Sequence, residues 1–119
     1  MNEFTGIDPE SLTRLNRMGG PDFVRKMIAL FLEEAPERLQ AARSGAQTGD
    51  LNAVSEAAHS LKSSAHNFGA TDLAHLAEKI ELLTRANSSE NLSNLLDQLD
   101  RTYLTAKAWL ERQRSSFQK

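Results

Sequence analysis

The chain of 119 residues is short enough for one domain and long enough to bury a core unaided, and its lack of cysteine removes disulfides and thiolate metal sites. A formal net charge of -2, from 14 Lys and Arg against 16 Asp and Glu, argues against a general polyanion binder, so nucleic acid is not an expected partner. No apolar run approaches the ~18 residues of a membrane span, and the start of the chain lacks a basic region followed by an apolar one.

Strands are hard to place, because Leu, Ala, Glu, Arg and Gln dominate while β-branched residues are scarce; the prior is all-α. Residues 1–7 have no period and read as a lead-in. Asp8-Pro9-Glu10 supplies an N-cap, a proline at the first helical position and an acid near the positive end of the dipole, and Gly19-Gly20 supplies the stop of a short first helix. A second helix, about 21–47, repeats Val24, Ile28, Phe31, Ala35, Leu39 and Ala42, with a kink or local break expected at Pro36. Asp50 caps a third helix over 51–68, and Gly69 closes it in the left-handed conformation. The fourth, 72–86, turns Leu73, Leu76, Ala77, Ile80 and Leu83 inward. The fifth, 89–114, repeats Leu92, Leu95, Leu96, Leu99, Tyr103, Ala106 and Leu110, leaving a frayed tail from Ser115. The expected fold is an antiparallel up-and-down four-helix bundle with a short N-terminal covering helix, one domain over 1–119. The link between the third and fourth helices is so short that they must form an antiparallel hairpin.

The third helix has two faces. At ~100° per residue, Leu51, Ala58, Leu61, Ala65 and Phe68 fall within about 60° of Val54, while His59, Lys62, Ser63 and His66 lie roughly 80 to 180° away. A core stripe therefore runs beside a stripe of potentially reactive groups. A solitary histidine at the polar edge of a helix is ordinarily just solvated, so the case for chemistry rests on the whole constellation.

That constellation resembles a known family. His59-Ser60-Leu61-Lys62-Ser63, with Gly69 ten residues after His59, is similar to the phosphoacceptor motif of histidine-containing phosphotransfer (HPt) domains of bacterial phosphorelays. The run from Phe31 to Leu39 and the Gly49-Asp50 pair extend the resemblance over most of the chain. Ser63 departs from the glycine that the family often has there, but keeps the position small.

The resemblance implies that His59 accepts a phosphoryl group from a receiver-domain aspartate and passes it to another receiver. The chemistry of the residues suits that role, since a neutral imidazole at pH 7 has a lone pair able to attack phosphorus. Lys62, one turn on, offers a mobile positive charge for phosphoryl oxygens, and Ser63 leaves room for a partner while offering a hydroxyl. The attacking nitrogen needs its twin held by an acceptor; Glu81 is the candidate, because in the resembled family a Gln or Glu 22 residues after the histidine contacts it. Glu78 and Lys79 are less well placed. There is no Gly-rich phosphate loop for ATP, so the chain is expected to be a carrier and not an enzyme. No cofactor or metal is expected on it, the required Mg²⁺ belonging to the partner receiver. A helical metal site is disfavoured, because His59 and His66 are about 10 Å apart along the axis at 1.5 Å per residue.

Partner docking is expected around His59, with His66 partner-facing and Met18, Phe23, Met27 and Phe68 as candidates from the apolar surface. His75 reads as an ordinary surface residue, and Tyr103 and Trp109 as packing on the bundle edge. A monomer in the cytoplasm is expected. The alternative from a different class is a helical docking module for a signalling partner that works without phosphorylation.

Overall fold

The computed structural model describes residues 7–116. The expected lead-in therefore lies outside the described residues apart from Ile7, as does the end of the tail. Four helices follow in order: α1 over Glu10–Thr48, α2 over Leu51–Asn67, α3 over Thr71–Arg85 and α4 over Leu92–Ser116. Each packs against its neighbour in sequence and α4 closes back on α1, as an up-and-down bundle requires.

The first two expected helices are the two arms of α1, which meet without a loop at the expected stop, Gly20, whose φ of 87° and ψ of 177° no helix contains. A straight helix of 39 residues would run about 58 Å at 1.5 Å per residue. The molecule is 46 Å in its longest dimension, so the break at Gly20 bends α1. A ψ near 180° suits the residue before Pro21 while the positive φ suits glycine, and Pro21 then opens the second arm where a missing N–H costs little. The break expected at Pro36 is absent: helical dihedrals run through it. Pro36 is exposed, while Phe31, Ala35 and Ala42 are buried on either side and hold the direction of α1.

Three of the helix ends are closed the same way. Gly49, Gly69 and Asn87 have φ of 78°, 68° and 65°, and the residue after each donates its N–H five residues back, Asp50 to Gly45, Ala70 to Ala65 and Ser88 to Leu83. At the starts, Asp8 accepts from the Glu10 N–H at 3.0 Å and Asp50 from the Ala53 N–H at 3.1 Å, as their capping signatures predict. α4 begins at Leu92 instead of Ser89, because Asn91 at φ 61° is not helical.

Gly69 has a second constraint. Ile7 pairs with Ala70 in an isolated antiparallel bridge, and the Asp8 N–H donates to the Gly69 carbonyl at 2.7 Å. A Cβ on Gly69 would lie 2.4 Å from Ser11 Oγ and 2.5 Å from the Asp8 carbonyl, so the start of the chain closes onto the α2–α3 turn only because the position is glycine.

The core is the sum of the four stripes. The Phe31 ring sits 5.1 Å from Phe68 and 6.0 Å from Tyr103, centroid to centroid. Two expectations fall here. Phe68 is 3 % exposed and Tyr103 4 %, so Phe68 is core and not docking surface, and Tyr103 is interior and not at the bundle edge. Trp109 is half-buried against the core. Arg43 ties α1 to α4 through Asp97 at 3.1 Å and Asp100 at 2.7 Å.

Candidate functional site

The turn at Phe68 to Ala70 folds α3 back along α2, so residues at similar distances before and after it come side by side. His59 stands ten residues before Gly69 and Glu81 twelve after, which brings them level. His59 Nδ1 lies 2.8 Å from Glu81 Oε2. The pairing expected from the hairpin is present.

Glu81 is more than a partner for one ring. Its side chain is 2 % exposed, and three nitrogen groups converge on it: His59 and Arg85 on Oε2, and Lys62 Nζ at 2.9 Å from Oε1. His59 and Lys62 come from one turn of α2; Glu81 and Arg85 come from one turn of α3. Loss of solvent is the largest single influence on the Glu81 carboxyl and raises its pKa, but the Lys62 ammonium, the His59 ring N–H and the Arg85 charge together outweigh it. The net effect holds Glu81 below the ordinary carboxylate value, ionised at neutral pH.

An ionised carboxylate can only accept, so the Nδ1 that faces it carries a hydrogen and donates. A neutral His59 ring then has its lone pair on Nε2. The side chain is 58 % exposed, so a nucleophilic nitrogen held in one tautomer is presented to solvent.

Lys62 does not stand free. Its side chain is only 22 % exposed and its ammonium is on Glu81, where the sequence suggested a charge available to phosphoryl oxygens. Ser63 is exposed one turn beyond His59 and stays outside the Glu81 cluster, leaving that side of the histidine open. His66 and Met18 are exposed, Phe23 and Met27 half-buried. None of these four lines the groove beside His59. That groove, about 570 Å³, lies on the opposite side, between the first half of α2 and the last turn of α3, lined by Leu51, Asn52, Ser55, Glu56, Thr84, Arg85 and Asn87 with His59.

Arg85 was not singled out by sequence. The signal was available: it stands four residues after Glu81, the spacing of a helical ion pair, and so shares the face that the hairpin turns toward His59.

Comparison with known proteins gives these features a family. The Hpt domain model matches residues 26–109. The chain is 30 % identical over 114 residues to the phosphorelay protein LuxU of Vibrio vulnificus, covering 93 % of this chain and 97 % of that one. It is also 30 % identical over 103 residues to histidine-containing phosphotransfer protein 2 of Arabidopsis thaliana, covering 84 % of this chain and 66 % of that one. In three dimensions the crystal structure of histidine-containing phosphotransfer protein B (HptB) from Pseudomonas aeruginosa PAO1 matches with a TM-score of 0.91, over 98 % of this chain and 100 % of that one, at 23 % identity, which is a likeness of fold. With a match over most of its length, this chain belongs to the Hpt domain family.

Proposed function

We propose that the protein is a histidine phosphocarrier of a multistep phosphorelay, taking a phosphoryl group on His59 from a receiver-domain aspartate and passing it to another receiver. The observation that carries the reading is the exposed His59 ring with Nδ1 committed to a buried, ionised Glu81. In the first transfer Nε2 attacks phosphorus, the N–P bond forms, the acyl phosphate P–O bond breaks and the aspartate leaves as a carboxylate. Nδ1 keeps its hydrogen throughout. The ring gains positive charge as the bond forms, and Glu81 stabilises it; reversal in the second transfer restores the neutral ring.

Gly69 closes the helix that carries His59, and Ser63 keeps the approach to the ring small. Lys62 lends positive charge to the site from its place on Glu81. His66, Met18, Phe23 and Met27 are the docking candidates that remain on the surface. The Mg²⁺ for the reaction belongs to the receiver. The carrier acts as a monomeric Hpt domain in the cytoplasm, with no ATP site of its own. Among the described residues no helix is long and apolar enough to cross a membrane.

The test is labelling by phosphorylated receiver domains. Acid-labile, base-stable phosphate on the wild-type chain is expected, and none on His59→Gln with an unchanged melting temperature. A chain that binds receivers but is never labelled is a docking module, and equal labelling of the His59→Gln variant places the acceptor elsewhere.

A further inference from the structure

The phosphoryl group adds negative charge beside His59, and a cation must meet it. Two cations are near, both on Glu81, and their situations differ. Lys62 is 22 % exposed, pairs with the far oxygen Oε1 and does not line the groove. Arg85 is 62 % exposed, lines the groove with His59, and binds Oε2, the same oxygen that His59 Nδ1 uses.

We propose that Arg85, more than Lys62, is the cation that meets the phosphoryl group on His59 Nε2, an inference that rests on the carrier reading above. Two donors sharing one oxygen lie within about 6 Å of each other, two hydrogen-bond lengths. From there a flexible arginine side chain reaches a group attached to the far nitrogen of the ring. The guanidinium fork fits phosphoryl oxygens in pairs, which an ammonium cannot do.

The exchange of partner also has the right direction. As Arg85 leaves Oε2 for the phosphoryl oxygens, Oε2 is left to the Nδ1–H at the moment when the ring carries positive charge. Lys62 stays behind as the fixed counter-charge of the buried carboxylate. Asn52 and Asn87 add neutral amide donors on the same groove, and Glu56, its one acidic side chain besides the Glu81 beneath, turns the phosphoryl group toward the Arg85 side.

The experiment measures single-turnover transfer to this chain from whichever phosphorylated receiver domain labels the wild type fastest. Arg85→Ala is expected to slow transfer about tenfold, less than the loss of a fully buried oxyanion donor because the site is partly wet. Arg85→Lys restores part of the rate, and Lys62→Gln costs less rate than Arg85→Ala while lowering the melting temperature more. A merely structural arginine would act through Glu81, so the same substitution is made in a Glu81→Gln background. A similar tenfold loss there supports direct contact with the phosphoryl group; disappearance of the effect overturns it. A rate for Arg85→Ala within twofold of wild type, or a larger rate loss for Lys62→Gln, also overturns it and leaves the carrier reading standing. Failure of every receiver to label the wild type removes the carrier reading itself, and this inference with it.

Discussion

Replacing Glu81 by Gln keeps the volume of the side chain and removes the charge under three nitrogen groups. At 2 % exposure the amide is buried as the carboxylate was, so the loss falls on its partners. Arg85 and His59 are more than half exposed and can be rehydrated, so each contributes on the order of 0.5 kcal/mol. Lys62 is 22 % exposed and loses its charged partner in a partly desolvated place, worth roughly 1 kcal/mol. The expected destabilisation at pH 7 is about 2 kcal/mol, or about 8 °C in melting temperature for a chain of this size. The pH dependence is more diagnostic than the magnitude. The folded Glu81 carboxyl titrates below its ordinary value of 4.5, so its stabilisation is complete above about that pH and is lost as pH falls through the lowered folded value. Urea unfolding of both proteins from pH 3 to 7.5 should show a gap that is present at pH 5 and above and shrinks below 4.5. A variant as stable as wild type at pH 7, or a gap that widens in acid, would refute the reasoning.

Gly69→Ala must adopt a φ of 68° and place its Cβ against Ser11 and Asp8, so a loss of about 1–2 kcal/mol from the backbone alone is expected, with faster amide exchange at Asp8 as the start of the chain lifts. Ser63→Phe alters an exposed position and should shift the melting temperature by no more than about 2 °C, since surface changes are worth within ~0.5 kcal/mol, while transfer from a phosphorylated receiver falls at least tenfold. Unimpaired transfer in that variant would show that partners do not approach over residue 63.

Much of this architecture was legible because punctuation and period agreed. Gly20-Pro21, Gly49-Asp50 and Gly69 mark breaks that any L-residue with a Cβ would resist, and the core stripe of α2 follows from angle alone. The His59–Glu81 pair was legible because a tight turn makes a hairpin symmetric about itself. Pro36 was misjudged because propensity describes an isolated helix, whereas packed residues on both sides of it fix this one. Phe68 lies on the core stripe by angle, and that angle, not its nearness to the motif, decides that it is interior and not docking surface. The α4 start was displaced because Asn91, like Asn87, takes a positive φ that composition does not announce. The position of Lys62 could not be read, since a long flexible side chain chooses between a buried carboxylate and solvent by a balance of desolvation and charge that only three dimensions supply.

The charges gathered at Glu81 bear on how partners come and go. One carboxylate beneath Lys62 and Arg85 leaves this cluster with a single net positive charge when His59 is neutral. A phosphoryl group brings ~1.5–2 negative charges and reverses that sign. A donor carrying its own phosphate is thus drawn to the empty face and released more readily from the loaded one, without any change of fold. The preference acts over a Debye length of about 8 Å at physiological salt, so added salt should slow association with a phosphorylated donor more than with an unphosphorylated one.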